Sequence, residues 1–192
     1  YSKYYYYKKY DEIFDIPHTW LQKLKTAEGH FNKILILYEN PSVLFEHGVN
    51  IINKLRNIIA LAKEKSDDLV IWWYEDPYTE QVLSKNNSEA WSEYQKFILD
   101  IQQDESCIFD DSNNKERVAP LCDGFYGSTS PLLTECRYHD KPILWGDPTI
   151  EVLNSSKSRM SWKDDILVAA EGKKGWSVDN FLNMVVGDIY TK

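Results

Sequence analysis

The fold is decided by the stretch KILILYENPSVLFEHGVNIINKLRNIIALAKEKSDDLVIWWY, residues 33–74. Its opening run, KILILY (33–38), is almost entirely apolar, which is typical of a strand buried on both faces of a parallel sheet. From 41 to 66, apolar residues recur at intervals of three and four, which predicts an amphipathic helix that begins at Pro41. A second apolar run, LVIWWY (69–74), follows after a short turn. Strand, helix and strand with short connections predict parallel strands.

The remainder of the chain repeats this alternation. The predicted helices are 88–103, 112–121, 130–139 and 177–190, and the predicted strands are 106–111, 122–127, 141–147 and 164–172. We therefore predict an α/β fold, a Rossmann-like parallel sheet with helices on both faces. We expect one domain over 31–192. The lead-in segment 1–30 begins without Met, and we expect the chain to be cut from a longer one.

The composition narrows the class of function. The 192 residues carry a net charge of −8, and 43% of them are hydrophobic. A globular domain is therefore expected, and nucleic-acid binding is disfavoured because it needs a concentrated basic face. No apolar run approaches the roughly 20 residues that cross a bilayer, and there is no signal-peptide pattern, so we expect a cytoplasmic protein.

Three cysteines, Cys107, Cys122 and Cys136, are widely spaced along the chain. An odd number at these spacings fits neither a disulfide framework nor a zinc site. We expect them to be buried thiols in a reducing compartment.

The carboxyl ends of the strands are the expected place for a ligand, because open parallel sheets bind ligands at that edge. The predicted strand ends are 38–42, 74–77, 110–112, 123–130 and 146–148. They are rich in small, polar and acidic residues. At the third of them, Asp110 and Asp111 could contact a base or cap the next helix.

The most informative strand end is DGFYGSTSP, residues 123–131. Ser128, Thr129 and Ser130 come just before a predicted helix, where hydroxyls, backbone N–H groups and the helix dipole favour a phosphate or diphosphate. The alternative is an ordinary helix cap, with Ser130 as the cap and Pro131 at the first helical position. Neither a P-loop motif nor GxGxxG occurs, so a standard nucleotide fingerprint is absent.

The order of these features resembles the bacterial CDP-glycerol:poly(glycerophosphate) glycerophosphotransferases, especially their capsule- and cell-surface-polymer relatives. The matching landmarks are KILILY, the helix after it, DDLVIWW, IFDDS and CDGFYGSTSPLLTECRYHDKPIL. Together they lie within 9–148, most of the chain. The resemblance implies a glycosyltransferase-B architecture of two Rossmann-like halves. This chain is similar to the C-terminal, nucleotide-binding half.

The first family motif follows the strand LVIWW and reads Arg-Pro-His-Pro in the family. Here the same place reads Tyr74, Glu75, Asp76 and Pro77, so only the last proline is shared. An arginine and a histidine would neutralise or protonate a phosphate leaving group, whereas two ionised carboxylates would do neither. Glu75 and Asp76 are nevertheless the residues that occupy the implied catalytic positions.

The second family motif is similar to Ser-Asp-Ala-Tyr-Tyr-Gly-Asp-Xaa-Ser-Ser, and this chain has CDGFYGSTSP. The positions that match are Asp123, Tyr126, Gly127 and Ser130. Ser128 replaces the second aspartate, and Pro131 replaces the last serine.

The resemblance implies a reaction, a donor site and partners. The donor would be CDP-glycerol or a nucleotide sugar, and the acceptor a capsule, teichoic-acid-like or other surface polymer. No cofactor and no metal ion are expected, and the full-length protein could associate peripherally with the inner face of the membrane. Residues 128–130 would hold the diphosphate, and Asp123 and Glu135 would orient the nucleotide. The positions implied to bind the donor are Asn40, Ser42, Asp123, Tyr126, Gly127, Ser128, Thr129, Ser130 and Glu135.

Two other interpretations remain open. The chain could be a catalytically degenerate relative that keeps the Rossmann-like half as a binding or assembly module, which the residues at 74–76 favour. It could also be a flavodoxin-like or receiver-like domain. That last class ranks lowest, because Glu39 and Asn40 match a receiver's acidic cluster poorly.

Overall fold

The computed structural model describes residues 16–24, 32–145 and 178–187. Its centre is a five-stranded sheet in which every neighbouring pair of strands is parallel. The strands are β1 (Lys33–Tyr38), β2 (Leu69–Tyr74), β3 (Cys107–Asp110), β4 (Gly124–Gly127) and β5 (Ile143–Trp145). Their order across the sheet is β3-β2-β1-β4-β5. The predicted parallel α/β sheet is confirmed.

Seven helices accompany the sheet in the described part of the chain. They are α1 (His18–Leu24), α2 (Pro41–Lys65), α3 (Thr79–Asn86), α4 (Ser88–Gln103), α5 (Lys115–Val118), α6 (Pro131–Tyr138) and α7 (Val178–Val186). Helices α1 and α3 are absent from the sequence prediction. The strand predicted at 164–172 and the strand end at 146–148 lie outside the described residues.

The helices pack on both faces of the sheet, as predicted. Side chains alternate along each strand, so each face carries its own core. One core holds Leu35 and Trp73 beneath α2, α4 and α7. The other holds Ile36 and Trp72 beneath α1, α5 and α6. Within the described ranges, no helix has both the length and the apolar character of a membrane span.

Helix α1 packs on the second core. Ile16 and Leu24 are buried there, and the ring of Trp20 meets the ring of Trp72 edge to face at 5.4 Å. The guanidinium of Arg117 lies 4.7 Å from the centre of the Trp20 ring. This part of the predicted lead-in segment therefore contributes to the packed domain.

The strand order reverses direction between β1 and β4. From β1 the chain moves outward to β2 and β3 on one side, then returns to place β4 and β5 on the other. In open parallel sheets a ligand crevice is expected at such a switch point, at the carboxyl ends of the two strands. We refer to this place, between the ends of β1 and β4, as the crevice. Helices α2 and α6 both begin at this crevice, because each follows directly after one of them.

Gly127 lets β4 approach β1 closely at the crevice. It pairs with Tyr38 and has a φ of 152°, which side-chain-bearing residues rarely adopt. A Cβ at this position would lie 1.9 Å from the carbonyl oxygen of Tyr38. Only glycine fits here without displacing the backbone of one strand.

Helix α2 is interrupted at Gly48, where the backbone has a φ of 33° and a ψ of −110°. A Cβ at this position would lie 3.1 Å from the Cβ of Ala90 in α4. The first turns of α2, before Gly48, are therefore kinked relative to the rest of the helix, and α4 packs closely against Gly48.

Candidate functional site

The crevice brings together the polar residues that end β1 and β4. The hydroxyl oxygen of Ser128 accepts a hydrogen bond of 2.8 Å from the backbone N–H of Asn40. This bond ties the two loops to each other across the switch point. Ser128 and Ser130 are buried, whereas the side chain of Thr129 is exposed. Thr129 is therefore the hydroxyl of the β4–α6 loop (residues 128–130) that a ligand could reach most directly.

Both helices that begin at the crevice carry a side-chain cap followed by proline. The Oδ1 atom of Asn40 accepts the backbone N–H of Ser42 at 2.9 Å, and also the Ser42 hydroxyl. The hydroxyl oxygen of Ser130 accepts the backbone N–H of Leu133 at 3.1 Å. The predicted cap at Ser130 is thus confirmed. The positive ends of both helix dipoles face the crevice, which favours an anion there.

Two of the predicted donor-binding residues lie away from the crevice surface. Tyr126 is almost completely buried in the first core, with the ammonium of Lys54 5.8 Å from the centre of its ring. Asp123 lies at the amino end of β4, where its Oδ2 atom accepts the backbone N–H of Ile34 at 2.8 Å. It lies five residues before Ser128, which corresponds to roughly 17 Å along β4. Asp123 therefore joins β1 to the start of β4 at the amino ends of the strands, and the expectation that it binds the donor is corrected.

Glu135 lies on α6, five residues beyond its cap at Ser130, and its side chain is half-buried. This offset corresponds to about 7.5 Å along the helix axis. A ligand group attached to an anion at the start of α6 would have to extend along the helix to meet it.

Glu75 is directed into the first core. Its Oε2 atom accepts a 2.8 Å hydrogen bond from the indole N–H of Trp73, and a further bond from the hydroxyl of Tyr94 on α4. Burial raises the pKa of Glu75, and these two bonds oppose that shift. Both hydrogen bonds to this carboxylate come from packed aromatic side chains.

Asp76 serves the turn that starts α3. Its Oδ1 atom accepts the backbone N–H of Tyr78 at 2.9 Å, and its Oδ2 atom accepts the hydroxyl of Tyr38 at 2.7 Å. Burial, followed by the bond to Asp76, raises the pKa of Tyr38. Because Tyr38 belongs to the second core, the adjacent residues Glu75 and Asp76 bond to opposite faces of the sheet. They do not form a paired carboxylate site.

A buried ion pair at the end of β3 was not predicted from the sequence. Asp110 is fully buried and accepts the indole N–H of Trp72 at 3.0 Å and the hydroxyl of Ser112 at 2.6 Å. A guanidinium nitrogen of Arg117 lies 3.4 Å from Asp110 and contacts Ser112 at 2.8 Å. The sequence feature that could have indicated this pair is Arg117, which stands next to the inward-facing Val118 in the helix predicted at 112–121. Asp110 is therefore held in a structural ion pair with Arg117, and its carboxylate is not directed to a nucleotide base.

Charge is distributed unevenly along the carboxyl edge of the sheet. The carboxylates at the ends of β1, β2 and β3 are Glu39, Glu75, Asp76, Asp110 and Asp111. The end of β4 carries only small and hydroxylated residues. An anion is therefore favoured on the β4 side. Among the described residues, no group of three or more His, Cys, Asp and Glu side chains is arranged to hold a metal ion.

Comparison with protein-family models, curated proteins and solved structures gives no match. The family resemblance rests on the sequence landmarks given above. Functional inference for this chain must therefore start from the crevice.

Proposed function

We propose that this domain binds the diphosphate of a nucleotide-activated donor at the carboxyl ends of β1 and β4. The donor would be CDP-glycerol or a nucleotide sugar, and the domain would be the donor-binding half of a transferase for a cell-surface polymer. The observation that carries the proposal is the Ser128–Asn40 hydrogen bond, which joins two helix N-termini at the switch point of a parallel sheet.

The chemistry of the crevice favours a phosphate-bearing ligand. The dipoles of α2 and α6 supply partial positive charge, and the exposed Thr129 hydroxyl supplies a donor. Acidic side chains at the ends of β1, β2 and β3 disfavour a phosphate on that side, so the diphosphate would lie against the β4–α6 loop. Glu135 is the candidate partner for the ribose hydroxyls. A polymer acceptor and association with the inner face of the membrane belong to the same proposal.

The proposal is tested by calorimetric titration with CDP, using cytidine as the ligand that lacks phosphate. We expect heat of binding for CDP alone. Thr129→Glu places a carboxylate beside the phosphates and should weaken CDP binding by about tenfold or more, which corresponds to roughly 1.4 kcal/mol. Gln102→Glu adds the same charge at an exposed position near the end of α4 and serves as the control. Equal heats for CDP and cytidine, or for the two variants, would count against the site.

A second candidate function is a binding module without catalysis. The observation that favours it is the engagement of Glu75 by Trp73 and Tyr94, and of Asp76 by Tyr38 and the Tyr78 backbone. Neither carboxylate brings the positive charge that a departing phosphate needs, and both are engaged by groups of the packed domain.

The two candidates differ in turnover. Phosphorus-31 NMR of CDP-glycerol incubated with the protein follows release of CMP. A transferase should release CMP, by transfer or slow hydrolysis, and Asp76→Asn should reduce that rate. A binding module should hold the donor intact, with the same affinity in the Asp76→Asn variant.

A further inference from the structure

Two of the three cysteines meet in the second core. The Sγ atoms of Cys122 and Cys136 lie 4.0 Å apart, although 14 residues separate them along the chain. Both are free thiols, and both side chains are fully buried. Cys107 belongs to the first core, on the other face of the sheet. The fold therefore creates one close thiol pair and leaves the third cysteine apart from it.

The pair brackets one structural unit. Cys122 lies two residues before β4, where its thiol contacts the carbonyl oxygen of Ala119 at 3.2 Å. Cys136 lies in the last turn of α6. A bond between the two sulfur atoms would close a ring that contains β4, the β4–α6 loop and most of α6. The loop at the crevice lies within that ring.

We propose that Cys122 and Cys136 are a modification site: a dithiol that closes to a reversible intrachain disulfide when a small-molecule disulfide is present. The Sγ atoms must move about 2 Å closer to reach the bonded distance. Rotation of the two side chains, together with a shift of α6, would have to supply this displacement.

The reaction balances as two thiol–disulfide exchanges. One cysteine thiolate attacks a sulfur atom of the small disulfide, forms a mixed disulfide and releases one small thiolate. The second cysteine then attacks the protein sulfur of that mixed disulfide and releases the second small thiolate. The two protons lost by the cysteines are taken up by the two released thiolates. The protein dithiol is oxidised, and the small disulfide is reduced to two thiols.

Access to the pair requires local opening of α6. The helix has eight residues; it buries Leu132 and Cys136 and packs Leu133 partly against the second core, so only a short surface holds it against the sheet. The neighbouring Cys122 thiol and burial both raise the pKa of Cys136, which makes the closed state unreactive. The rate of oxidation should therefore become independent of the oxidant concentration once opening of α6 limits it.

The test uses the 192-residue chain with oxidised glutathione, followed by alkylation of the remaining thiols and peptide mapping. We expect a crosslink between the peptides that carry Cys122 and Cys136, with Cys107 alkylated. The thiols counted after unfolding should fall from three to one, and dithiothreitol should restore all three. Cys107→Ser should form the same crosslink, whereas Cys136→Ser should form none.

Three outcomes would overturn the proposal. The first is that the folded protein, after incubation with oxidised glutathione, still has three thiols that can be alkylated once it is unfolded. The second is a crosslink that includes Cys107 or that forms only in urea. The third is a stable glutathione adduct on Cys122 or Cys136 without ring closure. The test relies on no bound nucleotide, so its result is independent of the donor proposal.

Discussion

Glu75 and Asp76 illustrate how two adjacent carboxylates acquire different surroundings at the end of one strand. The alternation of β2 continues past its last residue, so one side chain faces α4 and the other faces Tyr38. Each carboxylate bonds to an aromatic side chain. The sequence shows both residues, but it does not show their bonds to Tyr94 and Tyr38, because these tyrosines are distant in the chain.

The titration of Glu75 gives a pH prediction with a definite sign. Burial raises its pKa above the ordinary value of 4.5, so the folded protein retains this proton to higher pH than the unfolded chain does. Its contribution to stability is fully present below pH 4.5 and is lost as the pH rises through the raised pKa. The free energy of unfolding of the wild type, minus that of Glu75→Gln, should therefore decrease as the pH rises from about 4.5 to neutrality. Urea unfolding at several pH values measures this difference.

The control for this prediction is Glu80→Gln, which removes one exposed carboxylate from α3. It corrects for the loss of a negative charge at the same end of the molecule. A wild-type advantage over Glu75→Gln that stays constant, or grows, as the pH rises would contradict the burial of an ionisable Glu75.

Gly127 gives a second prediction at the scale of one residue. Gly127→Ala should lower the free energy of unfolding by about 3 kcal/mol or more, because its φ is unfavourable and its Cβ would collide with the Tyr38 carbonyl oxygen. Urea unfolding measures the loss. Thr129→Ala, at an exposed position two residues away, should change stability by no more than about 0.5 kcal/mol. Similar values for both variants would show that β4 does not approach β1 so closely.

The elements differ in how well the sequence predicts them. Strand β2 and helix α4 have the predicted bounds, because a long apolar run and a sustained helical periodicity leave little ambiguity. Helix α3 was missed because it is short, follows Pro77, and begins after Tyr78, which makes no side-chain cap bond. Its start depends instead on the turn built by Asp76.

The start of α6 gives the prediction at the scale of an element. Ser130→Ala removes the hydroxyl that accepts the Leu133 N–H, and should cost about 1 kcal/mol of stability. Ser130→Thr keeps the hydroxyl and should retain most of that stability. Chemical denaturation compares the two variants. If alanine were tolerated as well as threonine, the cap would not hold α6 at the crevice.

At the scale of the whole molecule, strand alternation predicted the parallel sheet but not the order of its strands. Consecutive β-α-β units can add a strand on either side of β1, and the sequence pattern does not distinguish the two choices. The observed order places β4 beside β1 and so brings Ser128 to Asn40. The motif that contains Asp123 and Ser128 does not form one site, because β4 lies between them and places them at opposite ends of the strand.

The packing of α1 gives the prediction at this scale. Trp20→Ala removes an indole that contacts both Trp72 and Arg117, and should lower the free energy of unfolding by about 2 kcal/mol. Thr19→Ala changes an exposed neighbour on the same helix and should be nearly neutral. Equal stability of the two variants would place α1 outside the cooperative domain.

The most direct test of the central claim is a CDP titration followed by amide NMR, with cytidine as the control. If the crevice binds the diphosphate, CDP should shift the amide signals of Asn40, Ser42 and residues 128–130, and cytidine should not. Thr129→Glu should suppress these shifts. Unperturbed signals at these positions with CDP at about millimolar concentration, or shifts confined to other parts of the chain, would contradict the account.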